Sequence, residues 1–338
     1  MKRVAAIPAS GHGQTALGPG GYPDFIIIGA MKSGTTSVHS ILAHHEEVFI
    51  PDNEVYFFDV DDVEQHPDFF VRTRDGWTFH DFDADFPRYL EWYENFFKGA
   101  SPGQVIGEDT TTYLASSVAP ARIARLLPDV KLIAMLRDPV SRAYSHYWHN
   151  VTAGRMVDTF ENTLRFSPGN LFKRGCYYEQ LSRYASFLEA GRIKVVFFEE
   201  FLADNQRVTD ELCAFIGLSS SVDVTKVEVH RNASSAPVSL HARLLGNRIY
   251  TSLVRSRKSF KNIPNMPHFE MKPASAQAPP RSKVAAACHA VVEARPGRKY
   301  PPMKPGTKEF LQQVFRKKND GLSALLGRDV SAYWAYMK

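Results

Sequence analysis

Asp24-Phe25-Ile26-Ile27-Ile28-Gly29-Ala30-Met31-Lys32-Ser33-Gly34-Thr35-Thr36-Ser37 is the stretch on which the reading of the chain turns. Its first half is an apolar run closed by a glycine, the pattern of a buried strand entering a turn. Val38, Ile41, Leu42 and His45 then recur at i, i+3, i+4 and i+7, which predicts a helix over 35–47 that stops before Pro51. A strand passing directly into a helix leaves free backbone N–H groups at the positive end of the helix dipole. Lys32 and the hydroxyls of Thr35, Thr36 and Ser37 gather at the same point, so the segment suits a phosphate or sulfate. A chance glycine turn would account for Gly29 and Gly34 alone, but not for strand, lysine and hydroxyls together.

The phosphate-loop pattern G-x-x-x-x-G-K-[ST] requires Lys directly after the last Gly. Here Thr35 follows Gly34, and Lys32 stands two residues before that glycine. This departure argues against an ATPase or kinase. A P-loop nucleotide or small-molecule kinase stays as the rival enzyme, and a catalytically inactive nucleotide-binding interaction protein as the rival without chemistry.

Outward from this stretch the same alternation continues. Strands are expected over 104–107, 130–136 and 193–198, and helices over 119–127, 138–153 and 178–190, with a further helix ending at Gly217. Asp138-Pro139 is a helix start, Asp138 as N-cap and Pro139 at the first helical position, where its missing N–H is not needed. Alternating strands and helices predict an α/β fold, a single domain with a central parallel sheet flanked by helices and ligands at the carboxyl ends of the strands. At one domain per roughly 150 residues the 338 residues allow one large domain or two modest ones. Residues 1–22 read as a flexible leader, 23–338 as the domain, and 219–302 as a variable, partly loop-like insertion with an exposed linker at 273–281.

Composition is that of an ordinary globular chain, 44% hydrophobic and 23% charged. Cys176, Cys213 and Cys288 are too few and too scattered for a disulfide framework or a zinc site, and no metal is expected. No run approaches the ~20 apolar residues of a membrane span, so a soluble, cytoplasmic protein is expected. Residues 52–109 carry 15 Asp/Glu against 4 Lys/Arg, a balance of −11, whereas 241–319 carry 17 Lys/Arg against 3 Asp/Glu, a balance of +14. The basic stretch could bind an anion or simply be a solvated surface; no nucleic-acid motif accompanies it, and no nucleic-acid partner is expected.

A second constellation, Arg137-Asp138-Pro139-Val140-Ser141-Arg142-Ala143-Tyr144-Ser145, follows the strand over 130–136. Arg137 falls at its carboxyl end, and Ser141, Ser145 and Trp148 share one helix face, so Arg137 and Ser145 could reach one phosphate.

FIIIGAMKSGTTSV followed about a hundred residues later by LIAMLRDPVSRAYSHY resembles the sulfotransferases that use 3′-phosphoadenosine-5′-phosphosulfate (PAPS), in particular the carbohydrate and heparan sulfate sulfotransferases. NEVYFFD, GEDTTTYL, RGCYYEQLSRYASFL, KVVFFEEF and the closing RKYPPMKPGTKEFLQQVF and NDGLSALLGRDVSAYW share in the resemblance. It implies a P-loop NTPase-like sulfotransferase fold and PAPS as sulfuryl donor. It places the 5′-phosphosulfate on Lys32, Ser33, Gly34, Thr35, Thr36 and Ser37, and the 3′-phosphate on Arg137 and Ser145. Gly297, Arg298 and Lys299 match, more loosely, a basic loop that closes over the nucleotide. Glu54 matches the glutamate that acts as base, although Asn53 stands where those relatives have lysine.

The implied reaction is an in-line sulfuryl transfer to a hydroxyl or amine of a small-molecule, lipid or carbohydrate acceptor, with 3′-phosphoadenosine-5′-phosphate (PAP) released. Such a step needs cations and N–H donors on the moving charge, which Lys32 and the loop provide, and a carboxylate such as Glu54 for the acceptor proton. His146 is a weaker base, since a histidine in an aromatic helix is more often packed. The aromatic and acidic stretch 77–97 could wall an acceptor pocket or form an ordinary packed subdomain; its acidity disfavours a polyanionic acceptor.

Overall fold

The computed structural model describes residues 21–72, 76–227, 236–237, 239–253 and 299–338. Residues 1–20 of the leader, the linker at 273–281, Gly297 and Arg298 lie outside the described residues. In chain order the elements are β1 (Phe25–Gly29), α1 (Thr35–Leu42), β2 (Val48–Phe49), the antiparallel pair β3 (Val71–Arg72) and β4 (Trp77–Thr78), α2 (Phe86–Glu94), β5 (Val105–Asp109), α3 (Ala119–Leu126), β6 (Lys131–Leu136) and α4 (Pro139–Thr152). They continue with α5 (Phe160–Phe166), α6 (Gly169–Lys173), α7 (Tyr177–Ser182), α8 (Ala185–Glu189), β7 (Ile193–Phe197), α9 (Phe198–Ala203), α10 (Asn205–Ile216), α11 (Leu240–Leu253), α12 (Pro305–Lys318) and α13 (Leu322–Leu326).

Five strands make one parallel sheet in the order β2-β5-β1-β6-β7. All five residues of β1 are buried, because helices cover both faces of the sheet. Phe25 and Ile27 pack with Val38, Ile41 and Leu42 of α1 and Val208, Leu212 and Ile216 of α10. Ile26 and Ile28, pointing the other way, join Ile123 of α3 and Tyr177 and Leu181 of α7. A two-sided core explains why these strands are unbroken apolar runs, each buried Ile or Phe stabilising the fold by about 1.5–3 kcal/mol. The neighbours of β1 are β5 on one side and β6 on the other, so its carboxyl end opens into the crevice where such sheets bind ligands.

Two expectations are corrected. The first helix ends at Leu42 rather than near Glu47: His45 turns out of the helix, its ring accepting from the Glu47 N–H (3.1 Å) and meeting Ser220 Oγ (3.1 Å), and the chain enters β2. The helix expected over 178–190 is two, α7 and α8, because Tyr184 is drawn into the core, where its hydroxyl donates to the Tyr113 carbonyl (2.9 Å). Within 219–302 lies a regular helix, α11, which apolar spacing hides. Its anchors are polar: Arg243 donates to the Val151 and Thr152 carbonyls at the end of α4, and Asn247 to those of Val151 and Met156.

Candidate functional site

The loop after β1 is shaped by two glycines. Gly29 has φ +136°, and a Cβ there would lie 2.7 Å from the Thr111 carbonyl oxygen; Gly34 has φ +92°, and a Cβ there would lie 2.7 Å from the Phe198 ring. Ala30 N–H donates to the Met135 carbonyl (2.7 Å) and Ser33 N–H to that of Ala30 (3.1 Å), which fixes the turn across β6. Gly34 then caps α1 without a side-chain bond, and among the described residues the N–H groups of Gly34, Thr35 and Thr36 have no hydrogen-bond partner. They open a helix N-terminus suited to an anion.

Beside this loop lies a cleft of about 1210 Å³. Lys32, Gly34, Thr35, Thr36, Ser37, Glu54, Arg137 and Ser145, singled out from the sequence, all line it. Ser33 does not: its side chain is fully buried and its N–H is spent on the turn. Lys299 is exposed and outside the lining, but its neighbour Tyr300 lines the cleft, stacked on Trp148 with ring centroids 5.5 Å apart. Gly297 and Arg298 lie outside the described residues.

Two cations face the cleft, and among the described residues no carboxylate pairs with either of them. Arg137 donates to the Lys32 carbonyl (3.1 Å), lies 5.0 Å from the Phe198 ring centroid and has its own carbonyl held by the Tyr177 hydroxyl (2.8 Å). Burial, and then the Arg137 charge, lower the pKa of the Lys32 ammonium. An arriving anion relieves both effects. On α4, Ser145, Trp148, His149 and Thr152 continue the wall. Ser141, expected on that face, is tied to Asp138 Oδ2 (2.6 Å) as part of the helix cap and does not line the cleft. His146 is buried away from it; burial first, then Arg174 and Arg142, hold its ring neutral.

Glu54 is half-buried and tightly held. Its Oε1 accepts from the Thr111 N–H (2.9 Å) and the Thr111 hydroxyl, and its Oε2 from the Tyr56 hydroxyl. Tyr56 has φ +59°, a conformation few side chains adopt. Its ring meets His66 edge-on, and His66 Nε2 lies 2.9 Å from Asp59 in a fully buried pair. A carboxylate aimed by three donors, in the same cleft lining as a lysine, can take a proton from a group bound beside it. Asn53 is exposed and does not line the cleft.

The stretch 77–97 does not wall this cleft. Phe82, Tyr89, Trp92, Tyr93 and Phe97 are buried, Tyr93 stacking on Phe57 with centroids 4.0 Å apart, while Trp77 and Phe79 are exposed. The ring-rich sequence serves the core. Below it, Glu108 is wholly buried and accepts from the hydroxyls of Tyr93 (2.6 Å), Tyr113 (2.6 Å) and Thr110 (3.0 Å).

Sequence reasoning did not single out His39, Asp109, Thr111, His149, Phe198 or Tyr300, all of which line the cleft. His39 stands one helical turn after Thr35, a periodicity that could have placed it on the ligand side. The others come together only in the fold: Asp109 and Thr111 through the pairing of β5 with β1, His149 on the helix after β6, Phe198 just after β7, which pairs with β6, and Tyr300 on the C-terminal segment.

The model of the sulfotransferase family matches residues 23–222. The human heparan sulfate glucosamine 3-O-sulfotransferase 3B1 is 32% identical over 181 residues, 53% of this chain and 39% of that protein. The human bifunctional heparan sulfate N-deacetylase/N-sulfotransferase 2 is 26% identical over 225 residues, 60% of this chain and 23% of that protein. The chain therefore spans less than half the length of these curated relatives. A solved sulfotransferase from Alicyclobacillus acidocaldarius shares the fold with a TM-score of 0.59 at 24% identity, over 93% of this chain and 99% of that one. The family match covers more than half of the chain, including the β1 loop, Glu54, Arg137 and Ser145: the chain belongs to the sulfotransferase family.

Proposed function

We propose that this chain transfers a sulfuryl group from PAPS to a hydroxyl or amine of a small-molecule or carbohydrate acceptor. The observation that carries the reading is the meeting, in one cleft, of two cations without a carboxylate partner among the described residues, an open helix N-terminus and a carboxylate held by three donors. The residues present fit the nucleotide. Lys32, Thr35, Thr36, Ser37 and the free N–H groups of the loop would hold the 5′-phosphosulfate, and Arg137 and Ser145 the 3′-phosphate. Lys299, next to Tyr300 whose ring stacks on Trp148 of α4, would belong to a basic loop over the nucleotide. PAPS, when bound, supplies the sulfuryl group and a phosphate leaving group.

The protein's own part is positional and electrostatic. Lys32 and the α1 N–H groups stabilise negative charge that builds on the leaving side. Arg137 fixes the nucleotide end and, through its bond to the Lys32 carbonyl, the conformation of the loop. Glu54 receives the acceptor proton as the new bond forms, its orientation set by Thr111 and Tyr56. The kinase alternative lacks a lysine directly after Gly34. Heparan sulfate, named in the relatives above, supports a carbohydrate in the acceptor panel; a lipid belongs there as well.

Calorimetric titration with PAP, and separately with ATP and magnesium, tests the donor. PAP binding without ATP binding supports the reading, and the reverse sinks it. Lys32→Ala is expected to remove about 2.7–4 kcal/mol of transition-state stabilisation, roughly a hundred- to thousandfold in rate; a loss under tenfold contradicts the role of Lys32.

A further inference from the structure

Residues 54–57 belong to no helix or strand, so the backbone N–H groups that follow Glu54 need partners from elsewhere. Val55 is fully buried and its N–H donates to Thr110 Oγ1 (3.0 Å), as does that of Tyr56 (3.3 Å). The N–H of Phe58, equally buried, donates to the Tyr113 hydroxyl (3.2 Å). Both hydroxyls turn their own hydrogens onto one carboxylate: Glu108 Oε1 accepts from Thr110 (3.0 Å) and Tyr113 (2.6 Å), and Oε2 from Tyr93 (2.6 Å). Glu108 is fully buried and outside the cleft lining, and the chemistry proposed above makes no use of it.

An ionised carboxylate only accepts. Each hydroxyl around Glu108 therefore spends its hydrogen there, and the lone pairs of Thr110 and Tyr113 are left to the N–H groups of Val55, Tyr56 and Phe58. A neutral amide in that place also donates, which frees a hydroxyl to turn its hydrogen toward a backbone N–H instead. Direction matters here because Tyr56 sits at φ +59°, a conformation that persists only where its surroundings over-determine it. From that conformation its hydroxyl reaches Glu54 Oε2, while Thr111, the neighbour of Thr110, gives both N–H and hydroxyl to Oε1. Burial lifts the pKa of Glu108 to about 7, and the Tyr113, Tyr93 and Thr110 hydroxyls oppose that rise by favouring the accepting form.

Resting on the sulfotransferase reading above, we propose that Glu108 is a positioning residue for the base Glu54: through Thr110 and Tyr113 it fixes the backbone of 55–58, from which the Glu54 carboxylate is presented to the cleft. Glu108 touches neither donor nor acceptor and acts only through these hydroxyls. A cluster serving the core alone would contribute to stability at large, whereas this one closes on the residues that directly follow the base.

The test uses the full chain with PAP bound, above the Glu108 pKa, and follows hydrogen–deuterium exchange in the peptide spanning 54–59 and in those of the β1 loop and α4. In Thr110→Val and in Glu108→Gln the 54–59 peptide is expected to exchange faster by about tenfold or more, the effect of a lost or misdirected buried hydrogen bond. The other peptides and PAP affinity should stay unchanged. Hydrolysis of labelled PAPS gives a second readout, with water as the acceptor: its oxygen forms the new O–S bond, a proton passes to Glu54, and the bond from sulfur to the 5′-phosphate oxygen breaks. Its kcat should fall by a similar factor at unchanged KM for PAPS, and Thr110→Ser, which restores the hydroxyl, should recover both readouts. An unmoved 54–59 peptide, loosening spread equally over the β1 loop and α4, or an undiminished kcat overturns the assignment. Should Thr110→Val not fold, Glu108→Gln, which keeps the side-chain volume, decides alone. Rapid exchange of the Val55, Tyr56 and Phe58 amides in the native chain would overturn it without any variant. Failure of the native chain to bind PAP removes the sulfotransferase reading, whereas intact PAP binding with unmoved exchange removes only this inference.

Discussion

Gly34→Ala is the perturbation whose consequences the structure specifies most closely. Gly34 has φ +92°, so alanine there carries the penalty of left-handed backbone, about 1–2 kcal/mol. Its Cβ would also lie 2.7 and 2.8 Å from two carbons of the Phe198 ring, and forcing that overlap into a packed site adds about 1–3 kcal/mol. The sum, about 2–5 kcal/mol, should appear as lost stability in denaturant unfolding followed by circular dichroism. The same overlap drives Phe198 off the Arg137 guanidinium, which it faces at 5.0 Å, so PAP affinity should fall as well. Phe198→Ala removes the overlap but not the backbone penalty. In that background Gly34→Ala should therefore cost only about 1–2 kcal/mol, leaving a coupling of about 1–3 kcal/mol between the two positions. Additive effects of the two substitutions, or a single-variant loss below about 0.5 kcal/mol, would refute the geometry assigned to the loop.

Tyr56→Phe removes a donor that aims the Glu54 carboxylate, so kcat should drop by about tenfold or more while PAP affinity stays unchanged; an unmoved kcat contradicts the positioning role. Arg137→Ala should weaken PAP binding by about 1.5–3 kcal/mol in calorimetry, and unchanged affinity removes Arg137 from the nucleotide site. Burial lifts the Glu108 carboxyl from the ordinary 4.5 to about 7, against the hydroxyls of Tyr113, Tyr93 and Thr110. Folded protein then binds a proton that the unfolded chain has released. Stability should fall as pH rises from about 5 to 7, by about 3 kcal/mol in all. Glu108→Gln should flatten that slope in unfolding measured across the pH range, and an unchanged slope would assign it to other groups.

Much of the scaffold is local in origin and could be read residue by residue. The run at 25–28 is apolar on both faces because both are covered, and the Asp138-Pro139 helix start appears in the structure as an N-cap accepting from Val140 and Ser141. The β1 loop is legible for the same reason: its glycines, lysine and hydroxyls lie within nine residues, and short-range geometry alone brings them together. Where reading failed, the deciding contacts were distant. Tyr184 breaks a helix by reaching Tyr113, 71 positions away, and α11 is held by Arg243 and Asn247 on carbonyls 91 to 96 positions back. The aromatic stretch 77–97 offered no means of telling a pocket wall from a core, because both need the same side chains.

By itself the sequence pointed to an anion at the β1 loop, since such a site needs only a strand, a turn and the first turn of a helix. Tertiary structure alone decided the remainder of the cleft. Parallel pairing carries Asp109 and Thr111 to the end of β1, where Thr111 holds Glu54 and Asp109 meets His39, and the return of the C-terminal segment sets Tyr300 on Trp148. None of these residues announces its role by type or spacing, because a carboxylate or a threonine gains its chemistry from neighbours that the fold, not the chain order, supplies.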